Sequence, residues 1–260
     1  MKYADLHEFI EFKGLLKVND DSFDLNFRAR INLNGETEVQ FDKLARTRET
    51  DFIQNHHYSD DKVINLFSLT GKAYDGTEFM TDDLFFSSMG IESNIKPGAL
   101  ITLETPSCSK ATFKSKLIEQ NQRPFITMRL RRFEAYRQLD TVCTLGTVVM
   151  SGCETEDTDM ISGKIKITAN EEPVDLKEWK DAVDKLMNHI RYVMSFSSGV
   201  SLKAPVMEYY ANGQLEVTTW SQTHENLSSL PTSIGWIKML FSIAPSNRIL
   251  NHLFMPTIYL

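Results

Sequence analysis

An alternation of apolar and polar residues that ends at Asn-Gly constrains the fold of this chain more than any other feature. In the segment FDLNFRARINL, Phe27, Ala29, Ile31 and Leu33 alternate with polar residues, and this period of two is typical of a β-strand with one buried face. Asn34-Gly35 follows, and the next segment, ETEVQF, resembles a second strand. Asn and Gly tolerate the positive φ that both central residues of a type I′ turn require, so the sequence predicts a hairpin here.

Similar strand signals fill the first two thirds of the chain and return near residue 211. The strand candidates are FIEFKGLLKV, FSLTGKAYDGTEFM, GALITLET, RPFITMRLRRFEAYR, TVCTLGTVVM, GKIKITAN and VSLKAPVMEYYANGQLEVTTW. Turn signals lie at Asp75-Gly76 and Asn212-Gly213, and Gly14 marks a candidate bulge. Many short strands at this spacing indicate a β-sandwich or a distorted, partly closed barrel rather than alternating strands and helices.

One segment, PVDLKEWKDAVDKLMNHIRYVMSFSSG, has the period of a helix. Its apolar residues recur at steps of three and four and include Leu176, Trp179, Val183, Leu186, Ile190 and Val193. Asp175 with Glu178 three residues later resembles a capping box, and Gly199 follows the expected end. The sequence therefore predicts one long amphipathic helix over residues 175–196 that packs its apolar stripe on the sheet. The predicted fold is mainly β, of the α+β class.

The chain length of 260 residues allows one large β unit or two smaller domains. We expect a β-rich domain over residues 1–210 that includes the helix. Residues 211–260 form a hairpin and an apolar C-terminal segment, which either continue this domain or lead to a downstream domain. The last ten residues, NHLFMPTIYL, are apolar to the end, whereas free termini are more often polar, so we expect Leu260 to lie at a domain edge.

The composition restricts the location and the partners of the protein. No run of about 18 apolar residues occurs, so no membrane span is expected, and the start MKYADLHEFIEF lacks the pattern of a secretory signal. The three cysteines form no CxxC pair, and this usage favours a reducing compartment, so we expect a cytoplasmic location. The net charge of -7 disfavours a protein that coats nucleic acid, because such binding depends on phosphate neutralisation.

Two pairs of arginines form the most basic pattern in the sequence. They occupy alternate positions of two strand candidates and are Arg28, Arg30, Arg129 and Arg131. The pairs could line one polar sheet face, and a bulge near Arg132 would explain why the alternation breaks there. Our main interpretation is a solvated face whose arginines pair with carboxylates such as Glu36 and Glu38. The alternatives are an anion-binding face that contacts single-stranded RNA, or a surface for a partner protein or an anionic small ligand.

Signals of catalysis are weak in this chain. The motifs GxSxG, GxxxxGK[ST] and GxGxxG are absent. His56 and His57 lie beside Asp60 and Asp61, but adjacent residues of an extended segment point apart, so we interpret this stretch as a solvated loop and expect no metal site. No cofactor is expected. Enzymatic activity within these 260 residues stays open, but a non-catalytic role is favoured.

The order of the elements resembles a known family. The pattern FSLTGKAYDGTEFM in a strand-rich region, followed by an amphipathic helix that runs into YVMSFSSGVSLKAPVMEYY, is similar to the N-terminal β-domain of bacterial ApeA-like proteins over roughly residues 8–210. In that family the β-domain precedes a helical HEPN domain. The resemblance implies a sensor or regulatory domain for a HEPN ribonuclease that acts in anti-phage defence by abortive infection. The implied partners are a HEPN domain, either downstream in the same chain or in a partner chain, together with a possible phage-derived trigger and possible RNA.

The chain departs from this family in one respect, so we also keep an alternative hypothesis for its function. HEPN ribonucleases carry an arginine and a histidine with four to six residues between them, whereas Arg248 and His252 have only three, so no catalytic residue is transferred. The alternative hypothesis is a stand-alone β-domain that binds a carbohydrate or a nucleotide. Its ligand contacts would be the aromatics Tyr209, Tyr210, Trp220 and Trp236. Large aromatics at such positions are more often part of a core.

Overall fold

The computed structural model describes residues 2–41, 52, 53, 56, 65–86, 106–116, 122–133, 138–153 and 157–221. Predictions for the segment GALITLET, for Trp236 and for the apolar C-terminal segment lie outside these residues. The first element is a 3₁₀ helix, Tyr3–His7, and the α-helix α1 is Leu176–Ser198. The strands are β1 (Ile10–Val18), β2 (Asp21–Ile31), β3 (Thr37–Phe41), β4 (Phe67–Ala73), β5 (Glu78–Phe86), β6 (Pro106–Cys108), β7 (Lys110–Lys116), β8 (Phe125–Arg131), β9 (Leu139–Cys143), β10 (Gly146–Gly152), β11 (Ile161–Thr168), β12 (Lys203–Ala211) and β13 (Gln214–Trp220).

The thirteen strands of the described residues belong to one antiparallel sheet. Its order is β3-β2-β1-β4-β5-β7-β13-β12-β8-β11-β10-β9, and β6 pairs with β5 beside this path. The prediction of a mainly β fold with one long helix packed on it is confirmed. The sheet is not a closed barrel, since β3 and β9 end the order without pairing to each other. Because β13 lies between β7 and β12, the hairpin that follows residue 210 is part of the same sheet.

The β2–β3 end of the sheet folds back over β8, β12 and β13. The backbone N–H of Ile161 donates to the Leu33 carbonyl oxygen at 3.1 Å. The hydroxyl oxygens of Thr37 on β3 and Thr219 on β13 lie 2.6 Å apart. The sheet therefore curls around an interior, and the first hydrophobic core fills it.

Phenylalanine rings form the centre of the first core. The rings of Phe12 and Phe27 stack with centroids 5.1 Å apart, and those of Phe79 and Phe113 meet edge to face at the same distance. Such pairs contribute about 0.5–1.5 kcal/mol each beyond the burial of their area. All four side chains are no more than 1% exposed.

Two glycines leave the space that Phe27 occupies. Gly14 on β1 lies directly opposite Gly71 on β4. A Cβ atom at Gly14 would lie 2.5 Å from Phe27 Cε1, and one at Gly71 would lie 2.6 Å from the same atom. The pairing of β1 with β2 and β4 continues through Gly14 without a register shift, so the bulge predicted at this glycine is wrong. Gly14 instead leaves room for the Phe27 ring to lie directly against the backbone of β1.

The helix α1 covers the other face of the sheet at β8, β10 and β11. Its buried residues Trp179, Val183, Met187 and Ile190 pack on strand residues such as Ile126 to form the second hydrophobic core. The Trp179 indole N–H donates to the Leu145 carbonyl oxygen at 2.9 Å, which satisfies its buried polar atom. The apolar stripe of the sequence thus faces the sheet as predicted. No helix in the described part of the chain is long and apolar enough to cross a membrane.

The ends of α1 agree with the sequence signals. The Asp175 carboxylate accepts hydrogen bonds from the backbone N–H groups of Lys177 and Glu178, which would otherwise lack partners. At the other end Gly199 has φ of 68°, the left-handed conformation that glycine adopts without a steric penalty. The helix extends two residues beyond the predicted end at residue 196.

The predicted hairpins are present, but they use two kinds of turn. Asn212 and Gly213 have φ of 52° and 75°, as a type I′ turn requires. At Asn34-Gly35 only the glycine has positive φ, and the Gly35 N–H donates to the Asn32 carbonyl oxygen at 2.8 Å. This pattern is a type I turn followed by a left-handed glycine, so the type I′ prediction at this site is wrong.

Candidate ligand-binding groove

The arginines of β8 face the curled interior rather than solvent. Arg129 is bonded to Glu208 of β12 at 2.5 Å, and its guanidinium carbon lies 3.5 Å from the Tyr3 ring centroid. Arg131 is 6% exposed and contacts Glu36 at 3.2 Å. The predicted pairing with a carboxylate is therefore present, whereas the predicted solvation of this face is wrong. Both guanidinium groups already have carboxylate partners inside the fold.

The irregularity predicted near Arg132 is present, but the extra residue is on the neighbouring strand. Pairing between β8 and β11 shifts between Ile161 and Gly163. The Ser162 hydroxyl, between them, accepts a hydrogen bond from the Phe133 backbone N–H at 2.8 Å. This contact holds the chain where β8 ends, and Arg132 has a φ of 60° there.

The arginines of β2 lie on the opposite face of the sheet. Arg28 and Arg30 alternate with Phe27 and Ala29, whose side chains are buried in the first core. The Arg30 guanidinium contacts Glu38 at 2.8 Å, which is the predicted cross-strand pair. The two arginine pairs therefore do not line one common face.

The candidate aromatic contacts are also separated. Tyr210 is 2% exposed and stacks on Phe125 in the first core, with centroids 5.2 Å apart. Tyr209 points to the other face of β12, where burial raises the pKa of its hydroxyl and Lys180 lies 4.5 Å from its ring centroid. Trp220 is half-buried at the end of β13. Tyr209 and Tyr210 thus belong to different sides of the sheet.

The described residues show no assembled catalytic or metal centre. Burial raises the pKa of the Cys108 thiol to about 12, with the Asp83 carboxylate as a further cause, so this thiol stays protonated and a poor nucleophile. Within the described ranges, no group of three or more His, Cys, Asp or Glu residues could hold a metal ion. His57, Asp60 and Asp61 lie outside these ranges.

A groove of about 850 Å³ crosses the face of β2, β1, β4, β5 and β7 that points away from the first core. We call this face the outer face. A curled sheet has the saddle shape of a hyperboloid. Its outer surface is therefore convex across the strands but concave along them. The described elements place α1 over β8, β10 and β11, on a different part of the sheet.

Three rows of residues, in register from strand to strand, line the groove. The floor row presents its backbone and consists of Leu25, Gly14, Gly71 and Phe79. One wall, the lysine row, consists of Asn26, Lys13, Lys72, Glu78 and Lys114. The other wall, the threonine row, consists of Asp24, Leu15, Thr70, Met80 and Thr112. The groove therefore runs across the strands, with the three lysines and Glu78 on one wall and apolar and hydroxyl groups on the other, apart from the Asp24 carboxylate at its β2 end.

The lysine row is not fully neutralised. Lys72 contacts Glu78 at 3.4 Å, and Lys114 contacts Glu216 of β13 at 3.3 Å. Lys13 lies directly opposite Lys72, and no ion pair within the described part of the chain involves Lys13. Like charges opposite each other on neighbouring strands are destabilising, so an anion that contacts both lysines would be favoured at this place.

Comparisons with known proteins do not assign a function to these features. No family model matches the chain. Neither the curated proteins nor the solved structures gave a match. What the protein does must therefore be inferred from its own residues.

No local sequence pattern marks the groove. Lys13, Lys72 and Lys114 lie far apart in the sequence, and each looks like an ordinary solvated position of a strand. The pairing of Gly14 with Gly71 brings these segments together. The only local signal is that each lysine occupies a polar position of an alternating segment, which many surface lysines share.

Proposed function

We propose that this chain is a non-catalytic recognition domain that binds a small ligand in the outer-face groove. We further propose that it serves as the sensor or regulatory part of a HEPN-type abortive-infection ribonuclease in anti-phage defence. The groove supports the recognition role, and the resemblance of the sequence to ApeA-like β-domains supports the link to a ribonuclease. A phage-derived or cellular small molecule would be the trigger.

The groove carries the first part of the proposal. Ligand sites are concave and combine apolar surface with a few convergent polar groups. Here Leu15 and Met80 supply apolar surface, while Thr70 and Lys13 supply polar groups on the two walls. The walls stand on strands whose inner side chains are held in the phenylalanine cluster, so the backbone under the site is ordered before a ligand binds.

Ligand titration tests the recognition role. The intact chain is screened by thermal shift against nucleotides, nucleosides and neutral oligosaccharides, and each hit is repeated with Met80→Gln. We expect at least one hit whose shift falls in this variant, because Met80 is 42% exposed on the groove wall. Tyr74→Phe, an exposed change outside the groove, should leave the shift unchanged. If no compound class binds, the recognition role is wrong.

The ribonuclease link needs its own test. We expect the purified chain not to cleave RNA, and cleavage that a point mutation abolishes would contradict the non-catalytic role. The native reading frame beyond Leu260 should encode helices that carry an arginine and a histidine with four to six residues between them. A stop codon directly after Leu260 would remove the downstream HEPN domain, leave only a nuclease in a partner chain, and favour the stand-alone alternative. The same groove would then support a stand-alone ligand-binding domain, because its walls come entirely from described residues of this chain.

A further inference from the structure

The opposed lysines indicate the charge of the groove's ligand. Lys13 and Lys72 lie on adjacent strands at directly paired positions, so their Cα atoms are separated by about 5 Å. Their side chains leave the same face of the sheet and can reach one common group. An anion between them would relieve this repulsion, since Glu78 contacts only Lys72 and no described carboxylate pairs with Lys13.

The opposite wall indicates what the rest of the ligand looks like. Leu15 and Met80 belong to the threonine row, and they alternate with the hydroxyl of Thr70 on the strand between them. This row lies two residues along the strands from the lysine row, which is about 7 Å. A ligand that fills both walls therefore has an anionic end and, about 7 Å away, a flat or apolar part with hydrogen-bonding groups.

We propose that the groove binds a nucleoside phosphate, with Lys13 and Lys72 holding the phosphate and Leu15 and Met80 contacting the base. This inference rests on the proposed recognition function and specifies its ligand. A phosphate carries nearly two charges near neutral pH and offers several acceptor oxygens, so it can bond both ammonium groups at once. The exposed hydroxyl of Thr70 is then left to bond the sugar or the base edge. A neutral carbohydrate would not reduce the electrostatic repulsion between Lys13 and Lys72.

Calorimetric titration of the intact chain tests the proposal at low ionic strength, because screening by salt weakens contacts between exposed charges. The probes are ADP, GDP, CDP and UDP, their four nucleosides, inorganic phosphate, and maltotriose as a neutral ligand. We expect at least one diphosphate to bind roughly tenfold or more tightly than its own nucleoside and than phosphate alone.

Variants assign the binding to the lysine pair. Lys13→Gln with Lys72→Gln should weaken the diphosphate by roughly tenfold or more, since two charge-assisted contacts are lost. Lys17→Gln is the matched control, because Lys17 lies on the same face of the same strand but outside the groove. It should change the affinity less than about twofold, since Lys17 lies about 13 Å along the strand from Lys13 and charges that far apart interact weakly through water. Circular dichroism and urea unfolding establish that each variant is folded.

Three results would overturn the proposal. The first is equal affinity for a diphosphate and its nucleoside, and the second is a loss in Lys17→Gln as large as in the double variant. The third is that none of the diphosphates binds. If a nucleoside or maltotriose binds in that case and Met80→Gln weakens it, the recognition function stands and only its ligand is different. If no probe binds, both proposals are wrong.

Discussion

A buried ion pair anchors the N-terminal segment to the centre of the sheet. Arg129 bonds Glu208, whose side chain is 7% exposed, and the Tyr3 ring packs against the Arg129 guanidinium. A desolvated pair of this kind adds little net stability, but removing one partner leaves a buried charge without compensation. At this position the pair fixes where the first residues of the chain lie relative to β8 and β12.

Truncation of Glu208 should be costly for this reason. Glu208→Ala leaves Arg129 unpaired, and we expect the free energy of unfolding to fall by about 2–4 kcal/mol, measured by urea denaturation. Glu38→Ala is the control, since its pair with Arg30 lies on the outer face and should contribute less than about 1 kcal/mol. Replacing both partners by Arg129→Met and Glu208→Leu should cost less than Glu208→Ala alone. Equal losses in the two single variants would contradict this account.

Tyr3 should make the free energy of unfolding depend on pH in the alkaline range. Burial raises the pKa of its hydroxyl to about 12, and Arg129 and Glu208 act in opposite directions beside it. Because the folded pKa lies above the unfolded value near 10, the neutral phenol's contribution is fully present below pH 10. It is lost as the pH rises from 10 to 12. The contribution is on the order of 2 kcal/mol.

The Tyr3 prediction is checked by comparing variants across that range. Tyr3→Phe should lose less stability than the parent chain between pH 10 and 12, as measured by urea unfolding at each pH. Tyr74→Phe serves as the control, since Tyr74 is fully exposed, and it should follow the parent chain. Parallel curves for all three proteins would show that Tyr3 ionises in the folded state as easily as in the unfolded state.

Among the elements, the β1–β4 pair carries the closest packing between backbone and side chain. Gly14 and Gly71 allow the Phe27 ring to lie against both strands, and the same two residues form part of the groove floor on the outer face. The packing of the core and the shape of the candidate site are therefore linked through one pair of residues. A side chain added at either glycine would push on the core rather than fill the groove.

Gly71→Ala tests this packing. Its Cβ would lie 2.6 Å from two atoms of the Phe27 ring, and overpacking of this kind typically costs about 1–3 kcal/mol. Phe27→Leu in the same chain should recover part of the loss, which a double-mutant cycle measures. Gly76→Ala is the matched control, because Gly76 has a φ of 85° and no atom within 4 Å, so its cost of about 1 kcal/mol should not respond to Phe27→Leu. Additivity in the Gly71 cycle would contradict direct contact with Phe27.

At the scale of the whole molecule, β8 joins the two cores. Six of its seven residues are buried. Adjacent residues belong to different cores, since Phe125 packs in the first core and Ile126 in the second. β12 does the same, with Val206 in the first core and Met207 packed on the second. Neither core can be lost without exposing one side of these shared strands.

The described chain should therefore unfold as one cooperative unit. Met187→Ala, in the second core, is expected to lower the free energy of unfolding by about 2–5 kcal/mol. Far-UV circular dichroism, which reports mainly on the sheet, and tryptophan emission, to which Trp179 contributes, should shift to the same lower midpoint. Two separated transitions would instead indicate that the helix side and the curled side unfold independently.

The sequence by itself determined most of the elements, although β6 and β7 were not among the predicted strands. The period of two in β2, the steps of three and four in α1, and the Asp175 and Gly199 caps are local signals, because each depends on residues within a few positions of one another. The hairpin at Asn212-Gly213 has the turn type that its two turn residues predict, for the same reason. At Asn34-Gly35 the same dipeptide adopted another turn, in a loop that also packs on β8 and β12.

Only the tertiary structure decided which faces meet and where the candidate groove lies. The alternation of Arg129 and Arg131 with apolar residues shows that they share a face, but not that the sheet curls until this face looks inward. Lys13 and Lys72 lie 59 residues apart, and they become neighbours only because β1 pairs with β4 in one register. Local preference acts over a few residues, whereas curl and register depend on how all thirteen strands pack around Phe27 and its neighbours.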